Sequence, residues 1–291
     1  MIVCFGSINV DLVFLLQHLP GAGETVLTPH LSMVPGGKGA NQACAAARDG
    51  AHVVMVGAVG RDAMAAEALI FLRDAGVDLA RVVTADAPTA VAAVFVAATG
   101  ENAIGVGSGA NLLARADQVE DTLLCPLTTL LLQMEVGTDE TVTLIRRART
   151  AGARIILNLA PAAPIPRDVF PLLDILVVNE TEAAFLGADH EATAATLHKN
   201  LGCAVVRTLG GAGSEYAGAS GMFHIPVHPV VVRNTTGAGD CFTGVLAASL
   251  DRGLSIAAAL RRASTAAALC CARPGTQDSL PTGAEIDAAL P

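Results

Sequence analysis

Short apolar runs alternate along the chain with longer stretches that are Ala-rich or amphipathic. Ile2–Phe5, Val53–Val59, Leu130–Met134, Arg154–Leu159, Ile175–Val178 and Ala204–Thr208 are dominated by aliphatic residues, with little polar alternation. That pattern predicts strands buried on both faces, as in a parallel sheet, and the stretches between them predict crossover helices. The expected fold class is α/β: a doubly wound, mostly parallel sheet flanked by helices.

Two stretches break the rhythm. Between the first strand and a helix opening near Gly37 the chain is polar and punctuated by Pro and Gly, and residues 89–107 read as two strands joined at Thr99–Asn102. They predict a small β-rich lid, with strands inserted at about 10–35 and 87–108. No composition shift marks a linker and no segment repeats, so residues 1–291 are expected to form a single domain. The segment GVGSGA, Gly105–Ala110, lacks dinucleotide-loop spacing and is read as a bent part of the lid.

Composition narrows the function classes. Hydrophobic residues make up 52% of the 291 and charged residues 15%, which excludes a disordered chain, and a net charge of −9 argues against nucleic-acid binding. A small anion such as a nucleotide needs only a local electropositive pocket, which a helix N-terminus supplies. The seven cysteines (4, 44, 125, 203, 241, 270 and 271) form no CxxC pair, so reduced thiols and a cytoplasmic location are expected. Asn9 and Asp11 interrupt the apolar N-terminus, which reads as a strand rather than a signal peptide, and no apolar run is long enough to predict a membrane span. The histidines (18, 30, 52, 190, 198, 224 and 228) show no paired metal-ligand spacing.

The chemistry concentrates at Asn234–Asp240, NTTGAGD, just before a small-residue apolar stretch that predicts a buried helix ending at Gly253. Gly237, Ala238 and Gly239 would let backbone amides and the helix N-terminus approach a phosphate, and Asp240 beside them could take the proton of an attacking hydroxyl. The plainer alternative is an Asp capping a helix after a glycine turn. Further glycine-rich or polar segments follow predicted strands: GSINVD (6–11), GGKGANQA (36–43), QME (133–135), NLAPA (158–162), NETEA (179–183) and TLGGAG (208–213). Each has its own plain reading. GGKG is not a Walker loop and can be tight packing, Asp11 can be a turn former, Glu135 a strand-end charge, and TLGGAG a hairpin turn. Asn179 with Glu182 three residues on is a good capping box.

These segments, with PGAGETV (20–26) and RPGTQDSLP (273–281), stand in an order that resembles the ribokinase branch of the ribokinase/phosphofructokinase-B sugar kinase family over nearly the whole chain. The resemblance implies a ribokinase-like fold and transfer of the γ-phosphoryl group of ATP to the 5-hydroxyl of D-ribose, with Asp240 as base. It assigns Asn9, Asp11, Gly37, Lys38, Asn41 and Glu135 to the sugar, and Asn179, Thr208, Gly210, Gly213 and Gly239 to ATP. Ser264–Ala267 would border the adenine. Mg2+ would be organised by Glu182, through water. Asn234, Thr236, Cys270, Arg273, Gly275 and Ser279 match positions around a monovalent cation, and because Asn234 stands where the family usually has Asp, K+ activation is expected to be weak or absent. The resemblance also implies a homodimer paired through lid strands.

Rivals share parts of this reading. A family kinase acting on fructose, a keto-deoxy sugar acid or a nucleoside would keep the phosphate machinery, but the first would differ at the hydroxyl contacts, the second would want an extra Arg, and the third more aromatic residues than 3%. A non-catalytic regulator would not need Asp240. An oxidoreductase of the dinucleotide-binding class would want GxGxxG after its first strand, which is missing.

Overall fold

The computed structural model describes residues 1–187 and 192–290. His190 lies outside them. The strands are β1 (Ile2–Phe5), β2 (Asn9–Leu16), β3 (Leu31–Gly36), β4 (Val53–Val59), β5 (Asp78–Thr84), β6 (Ala90–Ala97), β7 (Asn102–Gly107), β8 (Thr129–Leu132), β9 (Arg154–Asn158), β10 (Ile175–Val178), β11 (Ala204–Thr208), β12 (Ser214–Gly218) and β13 (Gly221–Ile225). The α-helices are α1 (Lys38–Arg48), α2 (Ala63–Ala68), α3 (Ile70–Asp74), α4 (Thr138–Ala151), α5 (Glu180–Gly187), α6 (Ala194–Leu201), α7 (Ala238–Asp251), α8 (Ile256–Cys271) and α9 (Gly283–Ala289).

Nine strands form one sheet in the order β13-β12-β11-β10-β9-β8-β1-β4-β5, parallel from β11 to β5 and antiparallel at β12 and β13. Every residue of β1, β4, β8 and β10 is buried, because helices cover both faces. Alternate side chains feed two cores. Ile2 and Cys4 pack toward α1, α7 and α8, while Val3 and Phe5 pack toward α4 and α6.

Four of the six predicted strands have the expected bounds, and the other two end earlier, at Leu132 and Asn158. At those ends the side chains of Asn158, the last residue of β9, and Gln133, just past β8, turn to polar partners. The sequence reading missed β5, whose residues are half-buried or exposed, and the hairpin pair β12–β13, where glycines mask the strand pattern. The helix expected to end at Gly253 ends at Asp251, with Gly253 two residues past it at φ 83°.

A second sheet, β3-β2-β6-β7, is built from the two inserted stretches. It stands over the carboxyl ends of the main strands because β2 follows β1 after only three residues and β3 leads straight into α1. Gly37 makes that entry at φ 90°, where a Cβ would meet the backbone of Asn9 and Ser7 at 2.9–3.0 Å.

Candidate active site

The main sheet reverses its winding between β1 and β8, and the crevice at the carboxyl ends there is where open α/β sheets hold ligands. Ser7, Asn9, Gln133, Glu135, Asn158, Asn179 and Thr208 all sit at or just beyond these strand ends. Onto them converge the first turns of α1 and α7, two helices that cross closely because Gly244 has no side chain. A Cβ at Gly244 would stand 2.4 Å from the carbonyl oxygen of Gln42.

Asp240 is buried on the first turn of α7, whose N-terminus is capped by Gly237 at φ 76° without a side-chain bond. Its Oδ2 accepts from Asn41 Nδ2 and its Oδ1 from Gln42 Nε2, both at 2.9 Å. It lines a cavity of about 120 Å³ with Lys38, Asn158, Asn179, Glu182, Thr208, Gly237 and Gly239. Thr208 and Gly239 also border a second cavity of about 280 Å³, largely apolar, whose wall includes Gly210, Gly213, Val230, Phe242, Ser264, Ala267 and Ala268. The Ala238 amide closes a turn onto the Thr235 carbonyl at 3.2 Å, so of the three GAG amides it is already engaged.

Asn9 is buried with its Oδ1 accepting from Asn111 Nδ2 at 2.7 Å, which leaves its own amide as a donor. Glu135 accepts from the Ser7 hydroxyl at 2.6 Å and from the Lys38 amide at 3.0 Å, both on Oε2. Asn41 donates to Asp240 and accepts from Gln277 Nε2 at 2.8 Å, so one amide proton is left over. Asp11, on β2, reaches down from the second sheet, its carboxyl packed where a Cβ on Gly36 would be.

Among the described residues, four carboxylates act on the Lys38 ammonium. Asp240 most strongly, then Glu135, Glu182 and Asp11, hold its ammonium above the ordinary value despite burial. Burial, with Glu135 and Asp240 adding repulsion, pushes Asp11 up to about 6 against the attraction of Lys38. Burial also raises Glu182, which the Asn179 amide and Lys38 oppose.

Asn179 and Glu182 form the reciprocal capping box of α5: Glu182 N donates to Asn179 Oδ1 at 2.8 Å, and Asn179 N and Nδ2 donate to the two Glu182 oxygens at 2.8 and 3.0 Å. Both residues of the box also line the 120 Å³ cavity. TLGGAG is likewise both things, the hairpin between β11 and β12 and a wall of the larger cavity.

The six residues matched to a monovalent cation do cluster, but not as a ring of free oxygens. Asn234 Nδ2 donates to the Gly275 carbonyl at 2.9 Å, and Asn234 Oδ1 accepts from the Thr236 amide at 3.0 Å. Cys270 Sγ meets Ser279 Oγ at 3.1 Å, while Arg273 pairs with Glu285 at 2.7 Å. The side chains of Asn234, Cys270, Arg273 and Ser279 are therefore already engaged with protein partners. Among the described residues no group of three or more His, Cys, Asp or Glu could hold a metal ion.

The profile of the pfkB family carbohydrate kinases matches residues 1–283. The chain belongs to this family. It is 36% identical over 296 residues to ribokinase of Bacillus subtilis, an alignment covering 99% of each chain. Its fold superposes on ribokinase of Thermotoga maritima with a TM-score of 0.92 at 30% identity, covering 99% of this chain and 98% of that one. Ribokinase of Arabidopsis thaliana, solved with ribose and ATP, gives 0.90 at 30% identity, again with 99% and 98% covered.

Within this pfkB-family site, five residues escaped the sequence reading: Ser7, Gln42, Asn111, Gln133 and Gln277. All are buried. For Gln42 a signal existed, since it is a large amide that opens a run of small residues, Ala43 to Ala47, on its helix. Gln133 follows directly on the apolar strand β8. Asn111 and Gln277 lie on short 3-10 turns, Gln277 inside the segment RPGTQDSLP and Asn111 outside every segment noted in the sequence.

Proposed function

We propose that the chain transfers the γ-phosphoryl group of ATP to the 5-hydroxyl of D-ribose, with Asp240 as general base. One observation carries the reading: Asp240 lines a polar cavity with Lys38, whose ammonium faces Glu135 and Asp11, and that cavity shares Thr208 and Gly239 with a glycine-lined, apolar cavity suited to a nucleotide. The relatives named as ribokinases, and the one solved with ribose and ATP, support the choice of substrates.

In this reading Asn9 and Lys38 donate to sugar hydroxyls, Asp11 and the free Oε1 of Glu135 accept from them, and the leftover Asn41 proton adds a donor beside the Gly37 turn. The attacking hydroxyl gives its proton to Asp240 as its oxygen bonds to the γ-phosphorus and the bond to the β-phosphate oxygen breaks, leaving ADP. The amides of Gly237 and Gly239 and the N-terminus of α7 face the transferring group. Asn179, Thr208, Gly210 and Gly213 flank the phosphates and ribose of the nucleotide, with Ser264–Ala267 at the adenine. Closing the β3-β2-β6-β7 lid over the sugar would exclude water.

A site with four carboxylates and one lysine leaves little positive charge for a triphosphate, which supports Mg2+ bound through the phosphates and water, with Glu182 as its protein anchor. When bound, Mg2+ would neutralise charge on the β and γ phosphates. For K+ we propose weak or no activation, because the Asn234 amide already engages the Gly275 carbonyl. Val13, Val94 and Ile104 line up across β2, β6 and β7, and Ile104, Val106, Leu31 and Met33 are exposed; such a lid suits pairing with a second copy into a homodimer. Seven free cysteines fit a cytoplasmic setting.

The test is ADP release by purified protein with ribose, fructose, adenosine or keto-deoxygluconate. Ribose is expected to give the highest kcat/KM. Absence of ribose-dependent turnover would overturn the substrate.

A further inference from the structure

A carboxylate on the first turn of a helix has the free amides of its own helix within reach, and folding back onto them would turn it away from a substrate. Asp240 does not fold back. Each of its oxygens is held by a side-chain amide from a neighbouring helix, Oδ2 by Asn41 and Oδ1 by Gln42. One lone pair on each oxygen remains for a hydroxyl.

Gln42 is saturated. Its two amide protons go to Asp240 Oδ1 at 2.9 Å and Asn158 Oδ1 at 3.0 Å, and its Oε1 accepts from Gln133 Nε2 at 2.8 Å. Rotating that amide by half a turn would set its oxygen against two acceptors and its NH2 against the Gln133 donor, so Gln133 helps to fix which end of Gln42 faces the base. Asn158 is anchored in turn, donating to the Val177 carbonyl at 3.2 Å. On the other arm, Gln277 donates to Asn41 Oδ1 and so fixes Asn41 in the same way. The outer glutamines gain little for themselves: Oε1 of both Gln133 and Gln277 is buried with no protein partner. A buried polar atom left so costs about 1–3 kcal/mol, which is hard to reconcile with a purely stabilising role.

We propose that Gln42 and Gln133 are positioning residues, an amide relay from the ends of β8 and β9 that orients the Asp240 carboxylate toward the attacking hydroxyl, with Asn41 and Gln277 as the second arm. The inference rests on Asp240 being the base. The relay acts through orientation, so it bears on the chemical step and leaves the sugar and nucleotide contacts in place.

The experiment compares Gln42→Met, Gln133→Met and the double variant with the parent enzyme, using ribose and ATP, with kcat expressed per folded molecule. Gln42→Met is expected to lower kcat about 10- to 100-fold while both KM values stay within about twofold. Gln133→Met is expected to lower kcat less, and to add nothing in the Gln42→Met background, since it acts only through Gln42. Unchanged kcat in Gln42→Met, or additive losses in the double variant, would overturn the relay. If Gln42→Met does not fold, Gln133→Met decides alone, and a parent-like kcat there overturns it. A parent enzyme inactive on every sugar would instead sink the proposed function.

Discussion

Asn234 donates its side-chain amide to the carbonyl oxygen of Gly275 at 2.9 Å. An amide proton thus meets an oxygen that a cation would otherwise have to neutralise. Turnover is expected to be the same in sodium and potassium within about twofold, whereas Asn234→Asp, which replaces a neutral amide and its donor by a carboxylate, should create activation by a monovalent cation. Steady-state rates in the two salts decide it, and a strong K+ effect in the unmodified protein would refute the expectation.

Asp240→Asn removes the base and also puts an N–H against one of the two amides that now donate to Asp240. Turnover should fall by at least about 10²-fold. Calorimetry is expected to find sugar binding retained, since Asn9, Asp11 and Lys38 are untouched. Near-normal turnover would remove Asp240 from the mechanism.

Asp11 carries the clearest pH dependence. Burial and its carboxylate neighbours raise it from 3.8 to about 6, so between those values the folded protein holds a proton that the unfolded chain has lost. Its contribution to stability is therefore lost as pH rises from about 4 to 6, and Asp11→Asn should be more stable at pH 7 by on the order of 1–3 kcal/mol, with the gain vanishing near pH 4. Denaturant melts at the two pH values measure this. In the parent enzyme the sugar KM should rise below about pH 6 as the acceptor is protonated, and that rise should disappear in Asp11→Asn.

Gly239 borders both cavities, and a Cβ built on it meets nothing within 4 Å. Gly239→Ala should fold at least as well, since Ala favours a helix by up to about 1 kcal/mol over Gly. The added methyl occupies space beside the transferring phosphate, so kcat/KM for ATP is expected to drop about 10-fold or more. A stable variant with parent-like kinetics would show that the phosphates do not approach there.

The strand rhythm, the strands of the second sheet, a helix opening near Gly37 and the glycine turn before α7 were legible in the sequence, because each depends on local patterns: aliphatic runs, turn residues and a helix start. Even the two-sided readings were local, and the capping box at Asn179–Glu182 and the hairpin at Thr208–Gly213 both formed. What the sequence left open was which polar groups meet. Asp240 and Gln42 are 198 positions apart, Asn41 and Gln277 are 236 apart, and Asn9 and Asn111 are 102 apart. An amide has both a donor and an acceptor end, and nothing near Gln42 in the chain says which end faces the carboxylate. That was decided by the close crossing of α1 and α7 at Gly244 and by Gln133 arriving from β8. Asn234 shows the same division: its sequence position marked a departure from the family pattern, but only the fold brought Gly275 to its amide.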